Sequence, residues 1–443
     1  MNKLSYLIIV CLTVINILGQ VPDTILIETT RMKGFGPFEA TFPFLSPIPK
    51  DNPWYNCVPE IKGIPTDLDK LTFATEQTDF MQYTYQCYYE HKISKEHFNE
   101  CKNEWNWQPS DSDFTKESVK LDIAVAAGYN KNDSLVIKVD RNNNYDLSDD
   151  SYFTLPEKLP GQNFWGRYND NLPFEVLYEY YDGKSIKQAK AWTYIDYSPL
   201  FFDEMDPDRN FPDFVITFPQ YYKGEFYFNG KKYFAAIKSD RVTFRSNYKI
   251  KIWESDRPPV YATKIAEVIK DGFIKLDDYY YRFAKASIDG SLIILVKDKS
   301  AVEKGGNQVG SKAIDFSKLD IKGKLQELSS FKGEYILLDF WGTWCSGCRD
   351  DIPKLKFLFE TYKNKNFEII GIANDEVEKV RRFVNTNEIK WPQIVESKDK
   401  SIIADYNIIS YPTNILIDPE GNIIERGLRA HELEQKLSEI FGK

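Results

Sequence analysis

Histidine is almost missing from this chain: there are three in 443 residues, and only His431 lies beyond residue 97. Basic residues are not in excess either. Against 66 Asp and Glu stand 57 Lys and Arg, a net charge of -9, and the lysines form no stripe of the kind a phosphate backbone requires, so nucleic acid is not an expected partner. No apolar run has the ~20 residues of a bilayer-spanning helix. The run from Leu4 to Leu18 is too short for that; with a basic start before it and Gly19 ahead of Gln20 after it, residues 1–19 read as a secretory signal. Cysteine is sparse as well, with six in all. Cys11 falls inside the signal behind Val10, where a lipidation signal prefers a small residue, so an ordinary cleaved signal is expected. Of Cys57, Cys87 and Cys101, an oxidising compartment would be expected to pair Cys87 with Cys101 and leave Cys57 buried or free.

The last two cysteines stand two residues apart in "DFWGTWCSGC", Asp339 to Cys348. The branched and aromatic run "YILLDF" before them suits a strand buried on both faces. After them, Ile352, Leu355, Leu358, Phe359 and Tyr362 fall at helical spacing. Cys345 therefore lies where a strand turns into a helix. The first turn of a helix offers unpaired N–H groups and the positive end of the dipole, which together stabilise a thiolate. A thiolate at Cys345 attacks a disulfide, and Cys348, one turn on, attacks the mixed disulfide and closes a Cys345–Cys348 bridge. A structural disulfide is the bland alternative. Half a zinc site is another, but it needs two more thiolate or imidazole ligands, and none is spaced to supply them.

"ILLDFWGTWCSGC", with Y-P-T downstream and D-P-E-G after it, resembles the strand and active-site turn of thioredoxin. It is closer still to the extracytoplasmic thiol-disulfide oxidoreductases of the TlpA/ResA type. The resemblance runs from Val309 to the end of the chain, in the order opening hairpin, active-site strand and helix, "NFEIIGIAND", "EVEKVRRFVNT", closing hairpin and last helix. It implies roles residue by residue. Cys345 is the attacking and Cys348 the resolving thiol. Asp339 is the buried acid, a carboxyl whose desolvation raises its pKa so that it exchanges protons with Cys348. Asp351, three residues after Cys348, is either an acid over the same turn or a charge stabilised by the helix dipole. Trp344 shields the disulfide, Tyr411 and the cis-proline Pro412 bind substrate, and Pro353 kinks the helix. Many relatives have proline where this chain has Gly347, so the reduction potential does not carry over. The peroxiredoxin pattern, a Thr or Ser three residues before a single reactive cysteine, is absent: Gly342 and Cys345 occupy those offsets.

From about Gln20 to Ser300, short segments rich in Tyr, Phe, Val and Ile alternate with Asn, Asp, Gly and Pro, which predicts antiparallel sheets. "GEFYFNGKKYFAAIK" is a hairpin with an Asn229-Gly230 turn, and only "ISKEHFNECKNEW" reads as helix. The echo of "IKVDR" at 137–141 in "IKSDR" at 237–241 suggests two strand modules. In "DRNNNYDLSDD", Asp140, Asn142, Asn144 and Asp146 place oxygens at alternate positions, as in a calcium loop, although Tyr145 stands where such loops take Gly; the other reading is a solvated hairpin turn. The glycine-bearing "VEKGGNQVGSK" reads as a linker.

The expected organisation is thus α+β and multidomain. A signal (1–19), a mixed region (20–115) and a β-rich region (116–300, divisible at 200) precede a linker (301–312) and a thioredoxin-like α/β domain (313–443) with a mixed central sheet flanked by helices. The expected activity is disulfide reduction or isomerisation in exported proteins, periplasmic or otherwise extracytoplasmic, with electrons from a membrane-bound thiol-disulfide donor and no cofactor beyond the redox-active disulfide. The alternative is a calcium-stabilised surface or binding protein whose thioredoxin-like domain is redox-silent.

Overall fold

The computed structural model describes residues 21–442 except 155–171, 198–213, 256–266, 299–305, 397–400 and positions 39, 42, 46, 106, 247, 308, 407, 409 and 410. The expected signal at 1–19 lies outside the described residues.

In the carboxy-terminal part, five strands make one sheet: β1 (Tyr335–Trp341), β2 (Phe367–Ala373), β3 (Gln393–Val395), β4 (Thr413–Ile417) and β5 (Ile423–Arg426), in the order β3-β2-β1-β4-β5. β1, β2 and β3 run parallel, while β4 and β5 are antiparallel to their neighbours. Four helices accompany them: α1 (Ser346–Tyr362), α2 (Val377–Thr386), α3 (Ser401–Asp405) and α4 (Ala430–Phe441). Because side chains alternate across a strand, β1 feeds two cores. Leu337 and Trp341 pack with α1, α2 and α4 on one face, and Ile336, Leu338 and Phe340 pack with Ile402 and Ile403 of α3 on the other. That double burial explains why "YILLDF" is apolar without interruption. The hairpin of Ser317–Leu319 with Leu325–Glu327 precedes the sheet, and Gly421, at a φ of 82° that suits glycine, ends the turn after Asp418.

The expected linker is not free along its described part. Gly310 N–H donates to Ile423 O at 2.7 Å, and Lys312 bridges Asn422. Glycine-bearing backbone has donors to place, and the edge of β5 supplies acceptors.

Upstream, eight antiparallel strands form one sheet in which Thr24–Lys33 lies between Gln220–Phe228 and Leu292–Lys297. Two four-stranded sheets, one holding Asp69–Gln77 beside Asp122–Tyr129, the other Phe174–Tyr181 beside Ile186–Tyr197, share a core through Val125, Ile137, Val176 and Ile195. The antiparallel β character is as expected, but the internal boundaries are not followed. Strand pairing crosses residue 115, through Asp69–Gln77 with Asp122–Tyr129, and residue 200, through Ile186–Tyr197 with Phe214–Thr217. The two echo segments sit in different sheets, because hydrogen-bond partners are chosen by three-dimensional proximity and five similar residues do not select them. The Asn229-Gly230 turn is present with both residues at positive φ.

A helix that sequence pattern did not indicate, Phe80–Tyr89, precedes the expected one at Lys95–Glu104. Its aromatics favour strands in isolation. Here Asp79 caps the first turn by accepting from Gln82 N–H at 3.1 Å, and Tyr83, Tyr85 and Cys87 are buried in an aromatic cluster against the second helix. Packing outweighs the propensity.

Candidate active site

β1 ends at Trp341, and four residues later Cys345 is the N-cap of α1. The sulfur of Cys345 is bonded to that of Cys348 and accepts the Cys348 N–H at 3.1 Å. The dithiol thus occupies the helix terminus where partial positive charge and unpaired donors favour a thiolate. Both cysteines are largely buried, Cys345 at 6% and Cys348 at 2% exposure.

The turn before them is held from the next strand. Asp375, just past β2, accepts from Thr343 N–H at 2.9 Å and from its hydroxyl at 2.5 Å, and Trp344 donates its indole N–H to Asn374 O at 3.0 Å. So anchored, Trp344 keeps 58% of its surface exposed beside the disulfide. Tyr411 meets it edge-on, with ring centroids 5.3 Å apart. The peptide bond between Tyr411 and Pro412 is cis, and a β-carbon built on Gly347 would lie 3.5 Å from Pro412 Cδ. The proline therefore faces the dithiol loop, and Trp344, Tyr411 and Pro412 form the apolar rim of an exposed active-site surface.

Asp339 projects from β1 on the same face as Leu337 and Trp341, the face that packs against Cys345 and Cys348. It is 3% exposed. Burial, with the Asp351 carboxylate adding to it, pushes its pKa up to about 7, so both protonation states are populated near neutrality. Across the sheet it pairs in register with Asn414, whose buried Oδ1 has no donor. Asp351 lies on α1 with its carboxylate gripped at both oxygens by Arg429, at 3.0 and 3.2 Å. Arg429 also reaches within 3.7 Å of where a Gly347 β-carbon would stand.

All the redox residues read from the sequence therefore converge. Sequence reasoning missed Asp375, Asn374 and Arg429. The first two carried a signal, since they follow a strand parallel to β1 and the carboxyl ends of adjacent parallel strands meet at one edge of a sheet. Arg429 carried none, being 78 positions from its partner.

The loop from Asp140 to Asp150, read from the sequence as a calcium loop or a solvated turn, is held by its own hydrogen bonds. Asp140, fully buried, accepts from Asn144 N–H and Tyr145 N–H at 3.1 and 2.9 Å. Asn142 and Asn144 each turn an amide nitrogen toward Asp149, at 3.0 and 2.9 Å, and Asp146 caps Ser148 N–H. Each of these four side chains meets a donor or acceptor of the loop itself, while Asp150 Oδ2 and Asn143 Oδ1 are buried with no hydrogen-bond partner. Among the described residues, no group of three or more His, Cys, Asp or Glu is placed to hold a metal. Tyr145 adopts a positive φ of 68° where a glycine was expected.

A dithiol at a helix N-terminus, backed by a buried acid and faced by a cis-proline, on a mixed sheet flanked by helices, defines a thioredoxin-fold thiol-disulfide oxidoreductase. Comparison with known proteins agrees. The AhpC/TSA family model matches residues 309–426. Thiol-disulfide oxidoreductase ResA of Bacillus cereus is 36% identical over 137 residues, covering 31% of this chain and 78% of that protein. Thioredoxin-like protein YneN of Bacillus subtilis is 37% identical over 139 residues, 30% of this chain and 80% of that protein. Among solved structures, the thioredoxin domain of a thiol-disulfide oxidoreductase from Bacteroides vulgatus is 33% identical and covers 30% of this chain and 96% of that one, with a TM-score of 0.29. Through its carboxy-terminal part the chain belongs to the ResA family of thiol-disulfide oxidoreductases. It is an enzyme of that class.

Proposed function

We propose that this enzyme works outside the cytoplasm, where it reduces or isomerises disulfides in exported proteins and is recharged by a membrane-bound thiol-disulfide donor. The observation that carries the reading is the Cys345–Cys348 disulfide at the start of α1, between an exposed Trp344 and Pro412. The basic and apolar first residues support export. No helix among the described residues is long and apolar enough to cross a membrane.

In the reduced enzyme the Cys345 thiolate attacks one sulfur of a substrate disulfide, forming a mixed disulfide and expelling the other substrate sulfur as a thiolate. Cys348, losing its proton to Asp339, then attacks the Cys345 sulfur. The Cys345–Cys348 bond forms, the second substrate thiolate leaves, and two electrons have passed to substrate. A donor dithiol reverses the change in the enzyme.

Replacing the resolving thiol tests this directly. Cys348→Ser, expressed with its leader and isolated under acid quench, should carry exported proteins bonded to Cys345, and Cys345→Ser,Cys348→Ser should carry none. The parent should also reduce insulin with dithiothreitol as donor. Cytoplasmic partners alone would overturn the location, and empty lanes in both variants with inert parent would overturn the exchange reaction.

A further inference from the structure

Three cysteines lie outside the redox centre, and their arrangement is not the expected one. Cys57 ends a short 3-10 turn, Tyr55–Cys57, and Cys87 lies near the end of the helix Phe80–Tyr89. Both are 3% exposed and belong to one aromatic core with Tyr83 and Trp107. Both are free thiols, neighbours in that core. Cys101, by contrast, lies on the next helix with its sulfur 3.8 Å from His97 Nε2 of the same helix, so its neighbour is an imidazole rather than Cys87.

We propose that Cys57 and Cys87 close into a structural disulfide that staples the Tyr55–Cys57 turn to the helix Phe80–Tyr89, and that Cys101 remains a thiol. Cys57 and Cys87 are buried in the same small core, so a modest approach of their side chains brings the sulfurs to bonding distance, whereas Cys101 is not part of that cluster and its sulfur turns to His97. Two thiols lose two protons and two electrons as the S–S bond forms. The electrons cleave one disulfide of an oxidant, glutathione disulfide or an oxidised dithiol protein, to two thiols.

The timing follows from burial. The neighbouring Cys57 thiol, with desolvation, holds the Cys87 thiol above its ordinary range, and in the folded core both sulfurs are shut off from an oxidant in solution. The bond therefore forms while the chain folds, before the aromatic core closes. Once made, it is sheltered from reductants by the same burial, which gives it a structural role unlike that of the exchanging pair at Cys345. It ties off the segment containing the strand Asp69–Gln77, a loop whose closure restricts the unfolded chain.

The test uses the full chain with Cys345→Ser and Cys348→Ser, so that it does not depend on catalysis. The protein is reduced, unfolded and refolded with glutathione disulfide, which supplies the oxidant wherever the protein naturally resides. It is then denatured, alkylated and digested. Cleavage after Lys62, Lys70, Lys92 and Lys95 puts the three cysteines on separate tryptic peptides. A linked pair of the Cys57 and Cys87 peptides with alkylated Cys101 is expected, and dithiothreitol should lower the melting temperature of this protein by about 5 °C or more but leave that of the further Cys57→Ser variant unchanged. Recovery of Cys57 and Cys87 in alkylated form, or a link that includes Cys101, would overturn the proposal whether or not the Cys57→Ser variant folds.

Discussion

Asp339 is a carboxyl whose usefulness comes from being badly solvated. At a pKa of about 7, against about 4 for a free side chain, it is neutral at pH 5 and ionised at pH 9. Only the ionised form accepts the proton of Cys348, so the parent's resolving step should accelerate as pH rises through 7. Asp339→Asn removes that acceptor while keeping the shape. Single-turnover decay of the mixed disulfide should be slower in the variant by about tenfold or more and should lack the inflection near pH 7; overlaying profiles would leave Asp339 a packing residue. Arg429 tempers the same chemistry, since it neutralises the Asp351 charge that helps to raise Asp339.

Among the elements, strand β1 and helix α1 owe their positions to apolar periodicity, whereas the loop after Leu135–Val139 is held by polar side chains folded back on their own backbone. Asp140 is the centre of that loop. Its carboxylate accepts from two backbone N–H groups, and its own burial raises its pKa although those donors pull the other way. Asp140→Ala leaves the Tyr145 N–H without its partner, while Asn144 N–H keeps Asn142 Oδ1 at 3.1 Å, and should destabilise the protein by about 1–3 kcal/mol, with Asp140→Asn recovering part of the loss. Urea unfolding checks this; equal midpoints for the parent and the alanine variant would show that water replaces the carboxylate. The helix Phe80–Tyr89 makes the complementary point, as a run of aromatic residues turned helical by one cap and one core.

At the scale of the molecule, Asp122 in the amino-terminal part and Asp339 in the carboxy-terminal part share an electrostatic condition: burial lifts each to about 7. A group whose folded pKa exceeds its unfolded value favours the folded state below the unfolded pKa and loses that contribution as pH rises toward the folded pKa. Between about pH 4 and pH 7 the native protein holds two protons that the unfolded chain releases, so stability should fall across this window and level off above it. Each acid is worth roughly 3–4 kcal/mol. Carboxylates with depressed values, such as Glu360 between Lys363 and Lys390, act in the opposite sense, so the measurement is a difference. The Asp122→Asn,Asp339→Asn variant should gain stability over the parent as pH rises from 4 to 7, by chemical denaturation followed at several pH values. A constant gap between the two proteins would remove both acids from the account.

What was legible without coordinates was local. The two thiols were readable from spacing because their chemistry is a matter of spacing, one helical turn apart behind a strand buried on both faces, whereas the roles of Asp339, Asp351, Trp344, Tyr411 and Pro412 came from the resemblance to the TlpA/ResA type. The Asn229-Gly230 hairpin, like the thiols, was legible locally, since its turn demands positive φ within two residues. Tertiary structure decided whatever depends on residues far apart along the chain. It set Arg429 on Asp351, Asp375 under Thr343 and Cys57 against Cys87, and threaded Thr24–Lys33 between strands that lie near 220 and 295. A sheet chooses partners by hydrogen bonds between edges and a core chooses them by shape, and neither choice is written in the order in which the residues are joined.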